Sequence, residues 1–168
     1  VLKENIEDSA HSIDLTLQHI AYTLERDLAK NQRNQLEDDA IEELLASHNK
    51  QHPVVSAFRV SDARGDIRWG KGVDQQKIVN IADREHFQQH RAAPAERMFV
   101  TEPLYARIQA SWVIVFSRSY RAPDGSFAGV ISAPVPVDHF VRLLSRLNLG
   151  EGGTAAIRHN NLGLVARY

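Results

Sequence analysis

The chain has 168 residues, 20 basic and 21 acidic side chains, a formal net charge of -1 and no cysteine. Near-neutral charge leaves no basic field for polyanions, so no nucleic-acid partner is expected. The missing thiols remove disulfides, thiolate catalysis and thiolate metal sites. The longest apolar run, "WVIVF" at 112–116, is far short of the roughly 20 residues a membrane helix needs.

Residues 1–30 predict one amphipathic helix, with Ile6, Ile13, Leu17, Ile20, Leu24 and Leu28 recurring at spacings of three, four or seven. The stripe is narrow, which leaves two readings open: packing on the chain's own domain, or a dimer seam through Ile13, Leu17, Ile20 and Leu24. "KNQRNQ" interrupts the period, and a second helix is expected over 35–49, ending before Pro53.

From Pro53 the texture becomes that of strands. "PVVSAFRVSD" alternates, "ARGD" turns and "DIRWG" returns as the second arm of a hairpin. "VNIADREHFQQHR" then opens a short helix, for which Asp83 is the expected N-cap. "RMFVTEPLYA" and "ASWVIVFSRSY" read as strands, "APDGSF" as a tight turn and "FAGVISAPVPV" as the next strand. "VDHFVRLLSRLN" predicts a helix capped by Asp138, followed by a linker through "LGEGG" and a last hairpin. The sum is an α+β fold: a central antiparallel sheet of about five strands flanked by helices and preceded by a long N-terminal helix.

Three segments, "IADREHFQQHR", "WVIVFSRSYRAPDGSFAGVISAPVPVDHF" and "LNLGEGGTAAIRHNNLGLVAR", resemble the Cache (PDC, PAS-like) extracytoplasmic sensor domains of bacterial transmembrane receptors. In such receptors the domain precedes a diguanylate cyclase or histidine kinase output module. The resemblance implies an N-terminal helical stalk and second helix over 1–50, a membrane-distal PAS-like module over 51–148, and the start of a truncated membrane-proximal module or stalk over 149–168. The start at Val1 and the end within "LGLVARY" fit a piece of a longer protein. His86 departs from the pattern, which has an aromatic such as Tyr there, and Trp112 is followed by Val113 rather than by the Tyr of an amino-acid-binding signature.

His86 and His90 share a helix face at i, i+4, yet no third ligand is fixed by a motif, so no metal site is expected. Scattered carboxylates and serines assemble no reaction, and "GEGG" lacks the lysine of a phosphate loop. The domain is therefore expected to have no catalytic residues and no cofactor. A ligand pocket fits better. The PAS-like layout implies a ligand between the sheet and the 83–91 helix, and the arginines there suit a small, anionic metabolite. Arg84, Arg91, Arg107 and Arg118 would supply donors, Phe87, Tyr105 and Trp112 aromatic walls, and His90 a further polar group. Each arginine has a plainer reading: Arg118, for one, could pair with a carboxylate at a strand end. The expected setting is the periplasmic side of the inner membrane, in a parent protein anchored by segments outside this chain and acting as a homodimer. Signalling would run through the N-terminal helix. The alternative is a ligand-free protein-interaction or dimerisation module of the same receptor.

Overall fold

The computed structural model describes residues 2–31, 36–93, 97–147, 154–158 and 164–167. The linker expected at "LGEGG" and most of the break at "KNQRNQ" lie outside them. Helix α1 spans Leu2–Lys30 and α2 spans Asp38–Gln51. The hairpin β1 (Arg59–Ser61) and β2 (Ile67–Gly70) follows, then α3 (Glu85–Ala92). Strands β3 (Phe99–Val100), β4 (Leu104–Ala106), β5 (Ser111–Arg121) and β6 (Phe127–Pro136) lead to α4 (Val137–Ser145) and to a separate hairpin of β7 (Ala156–Arg158) and β8 (Leu164–Arg167).

The main sheet is antiparallel with order β2-β1-β6-β5-β3, and β4 shares the outer edge of β5 with β3. The expected α+β fold with a PAS-like sheet is the fold found. Two boundaries differ from expectation. "RMFVTEPLYA" splits into β3 and β4 around Pro103, which cannot donate to a ladder. The strand expected from Pro53 starts at Arg59, because residues 53–56 turn back and Ser56 N–H bonds Pro134 C=O instead. The helix caps differ too. α4 begins at Val137, one residue before Asp138, and its N-cap is Pro136.

Each strand presents alternate residues to two layers. On one face, Ile114, Phe116, Tyr120, Ile131, Ala133 and Val135 meet α1, α2 and α4 in the larger core. Ile13, Leu17, Ile20 and Leu24 are at most 2% exposed in that core. This corrects the expected dimer seam: the stripe faces the chain's own sheet. Burying each such side chain contributes about 1.5–3 kcal/mol, which decides the helix's orientation. Among the described side chains of α1, the exposed large apolar ones are Leu15 and Tyr22. On the other face, α3 covers a smaller core of Phe87, Ile67, Ile81 and Val130. Where β1 meets β6, Gly129 has φ 154°, and a Cβ there would sit 2.0 Å from the Ser61 carbonyl oxygen.

Candidate functional site

A cavity of about 50 Å³ lies on the α3 face of the sheet. Its floor is Val115 of β5, Ser132 and Pro134 of β6, Ile67 of β2 and Arg59 of β1. Its walls come from three connecting segments: Val79 and Ile81 before α3, Arg84 and His86 at the start of α3, and Arg107, Ile108 and Gln109 in the β4–β5 turn. That turn closes through Ala110, whose φ of 50° brings the chain straight back into β5.

Three polar groups in the cavity lack the partners their burial calls for. Arg59 is 7% exposed. Its Nε donates to the Lys71 carbonyl (3.0 Å) and its Nη1 to Gln109 Oε1 (2.6 Å). Among the described residues no carboxylate pairs with it. Burial pushes its pKa down to about 10, so the group is still a cation at neutral pH. Gln109, its amide oxygen committed to Arg59, has a buried Nε2 with no acceptor among the described residues. His86 is 3% exposed, and its Nδ1 has no partner among the described residues. Burial first, then the nearby His90 and Arg84 charges, pushes the His86 imidazole down to about 4, so it is neutral at pH 7.

Unpaired buried polar groups cost about 1–3 kcal/mol each, and an unpaired buried cation more. Here all three converge on one cavity whose lining contains no Asp or Glu. The wider groove beside Leu28, Trp69 and Tyr120 holds no polar atom of this kind.

Of the residues expected to form the site, Arg84 and Arg107 line the cavity. Arg84 Nη2 donates to the Tyr105 carbonyl (3.0 Å). Arg107 forms a two-pronged pair with Asp83 (2.9 and 2.6 Å), and this holds the Asp83 carboxyl below its ordinary value. Asp83 is thus a clamp on the β4–β5 turn and not the expected cap: Arg84 occupies the N-cap of α3, without a side-chain cap bond.

The other six lie elsewhere. Phe87 packs edge-on against Phe127 (5.4 Å between ring centres) in the small core. His90 bonds Ser117 Oγ through Nε2 (3.0 Å) under α3, and Arg91 rests over the Phe87 ring from the solvent side. Tyr105 and Trp112 form an edge-to-face pair 48% and 58% exposed. Arg118 is on the opposite face of the sheet, clamped to Asp14 of α1 at 2.5 and 3.0 Å. It takes the plainer reading, an ion pair.

Sequence reasoning missed Arg59 and Gln109. Arg59 looked like the polar partner in an alternating strand, and the one available hint was a cation between Phe58 and Val60, both fully buried. In the sequence His86 stands out as half of an i, i+4 histidine pair and as a departure from the resembled pattern, not as a pocket residue.

Neither a family model nor a curated protein matches the sequence. Solved structures do match. The extracellular domain of a protein assigned as a histidine kinase, rpHK1S-Z16, is 24% identical with a TM-score of 0.72, over 96% of this chain and 67% of that one. The sensory domain of the Campylobacter jejuni chemoreceptor Tlp3, with isoleucine bound, is 16% identical with a TM-score of 0.63, over 99% and 67%. The ligand-binding domain of the Pseudomonas aeruginosa PAO1 amino acid chemoreceptor PctC, in complex with GABA, is 18% identical with a TM-score of 0.59, over 89% and 67%. The chain spans about two thirds of the length of these structures. It has the fold of the extracellular sensor and ligand-binding domains of bacterial histidine kinases and chemoreceptors.

Proposed function

We propose that this chain is the extracytoplasmic ligand-sensing domain of a membrane-bound signalling protein, and that it binds a small, anionic metabolite in the cavity between the sheet and α3. The observation that carries the reading is Arg59, a buried guanidinium with hydrogen-bond donors and no carboxylate among the described residues. An anionic ligand would supply the missing counter-charge, beside a guanidinium buried enough for charged hydrogen bonds to be strong.

The same strands join the cavity to α1. Val115, Ser132 and Pro134 face the cavity, while their neighbours Ile114, Phe116, Ile131, Ala133 and Val135 pack in the core that α1 enters. Ligand binding that shifts β5 against β6 would bias α1 through this packing and the Arg118–Asp14 pair, and α1 would carry the bias towards the membrane and a dimeric output module. In this reading residues 1–50 are the stalk and second helix, 51–148 the sensing module and 149–168 the start of a proximal module. The parent protein lies in the inner membrane with this domain on the periplasmic side. No helix among the described residues is long and apolar enough to cross a membrane, so the anchor lies outside them.

A thermal-shift screen of organic acids, amino acids, polyamines and nucleotide fragments tests the reading. A ligand at 100 times its Kd stabilises the fold by about 2.7 kcal/mol. For a domain of this size that raises Tm by about 5–10 °C. The shift should vanish in Arg59→Ala. A screen without any hit would favour the ligand-free interaction module.

A further inference from the structure

The cavity's inventory of donors and acceptors restricts the ligand further than its charge does, given the sensing reading above. An α-amino acid brings an ammonium group that needs anionic or carbonyl acceptors when buried. The cavity lining offers no Asp or Glu. The nearest acid on α3's approach, Asp83, has both carboxylate oxygens occupied by Arg107. The Gln109 amide oxygen is likewise held by Arg59 Nη1. What remains open is poor in acceptors: Arg59 Nη2, for which no partner is seen among the described residues, the Gln109 Nε2 donor and one nitrogen of a neutral imidazole. An ammonium placed here would face Arg59 and Arg84 at close range, a repulsion that low dielectric makes costly.

Size narrows the choice as well. At about 50 Å³ the cavity takes roughly four waters, at about 10–15 Å³ each. That suits a skeleton of about four to six heavy atoms.

Two donors, Arg59 and Gln109, satisfy the two oxygens of one carboxylate. His86 Nδ1 then needs one further polar atom beside it, and either tautomer can serve: it accepts from a hydroxyl or donates to a ketone oxygen. We infer that the ligand is a 2-hydroxy or 2-oxo monocarboxylate of two or three carbons, held by Arg59, Gln109 and His86, and that amino acids of the same size are rejected.

Isothermal titration of the intact domain with L-lactate, pyruvate, propionate and L-alanine tests this, because lactate and alanine differ only in hydroxyl against ammonium. Lactate or pyruvate should bind at least tenfold more tightly than alanine and than propionate. Arg59→Ala should weaken that binding at least tenfold. Arg59→Lys and Gln109→Leu, which perturb the fold less, should each weaken it severalfold. Alanine binding as tightly as lactate and pyruvate would overturn the inference while leaving the sensing reading intact. So would propionate matching them, a different anion binding where all four fail, or lactate and pyruvate binding equally well to all three variants. Silence from these four and from the whole thermal-shift screen would remove both.

Discussion

Lowering the pH from 7 to 5 should destabilise the domain by protonating the two histidines on the buried face of α3. His86 and His90 are each 3% exposed, and burial lowers both from the ordinary 6.5 to about 4. The fold therefore holds them neutral while the unfolded chain takes up protons below 6.5. Their contribution is fully present above 6.5, is lost as the pH falls through that value, and stops falling near 4. The slope is at most about 1.36 kcal/mol per pH unit for each group, so at pH 5 each can cost about 2 kcal/mol. The pair together costs roughly 2–4 kcal/mol, since the two charges are coupled and do not add independently. Against a typical stability of about 5–15 kcal/mol that is a large fraction. His48, His52 and His139 are lowered in the same direction by shallower burial, so the measurement has to be a difference. Urea unfolding at pH 7 and pH 5 gives the pH dependence for the wild type and for the double variant His86→Gln/His90→Gln. The double variant should lose about 2–4 kcal/mol of that dependence, whatever its absolute stability. If its pH dependence stays within about 0.5 kcal/mol of the wild type, the two histidines are not the buried neutral pair described.

Other outcomes follow from the packing. Arg118→Ala leaves the Asp14 carboxylate, only 18% exposed, without its partner, and should cost about 2–3 kcal/mol in urea unfolding. Leu17→Ala should cost about 2–5 kcal/mol, because Leu17 is fully buried against the sheet and not at a subunit contact; a dimer-dependent loss, seen as a change with protein concentration, would contradict this. Gly129→Ala places a Cβ against the Ser61 carbonyl at a positive φ and should destabilise by well over about 1 kcal/mol in a thermal melt. Asn49→Ala removes the side-chain bonds to Val55 C=O and Phe58 N–H that pin the turn before β1, at a cost of about 1–2 kcal/mol.

The elements were legible because each has a local cause. The i, i+3, i+4 stripe of α1, the "PDG" turn between β5 and β6 and the alternation in "WVIVFSRSY" depend only on neighbours in sequence. The site was much less legible because its groups are sorted by long-range pairing. Arg118 and Arg107 look alike in the sequence. One is drawn to Asp14, 104 residues away on the α1 face, while the other is drawn to Asp83 beside the cavity. Strand register decides which face Arg118 sees, and a period of two cannot say which layer covers which face. Arg59 shows the converse: a polar position in an alternating strand reads as solvent-facing until the turn at 107–110 folds over it. Trp112 and Tyr105 mislead for a related reason. They are aromatic at strand positions, but they pair where the short edge strand β4 meets the start of β5, and both are exposed there.

Sensing by this domain requires that a small anion bind against Arg59 beneath α3. A structure of the domain bound to the metabolite that most raises its Tm tests it most directly. That structure should show an anionic group within hydrogen-bond distance of the Arg59 guanidinium and of Gln109 Nε2, with His86 Nδ1 newly partnered. A ligand seated in the groove beside Trp69 and Tyr120, with Arg59 and His86 unchanged, would contradict it.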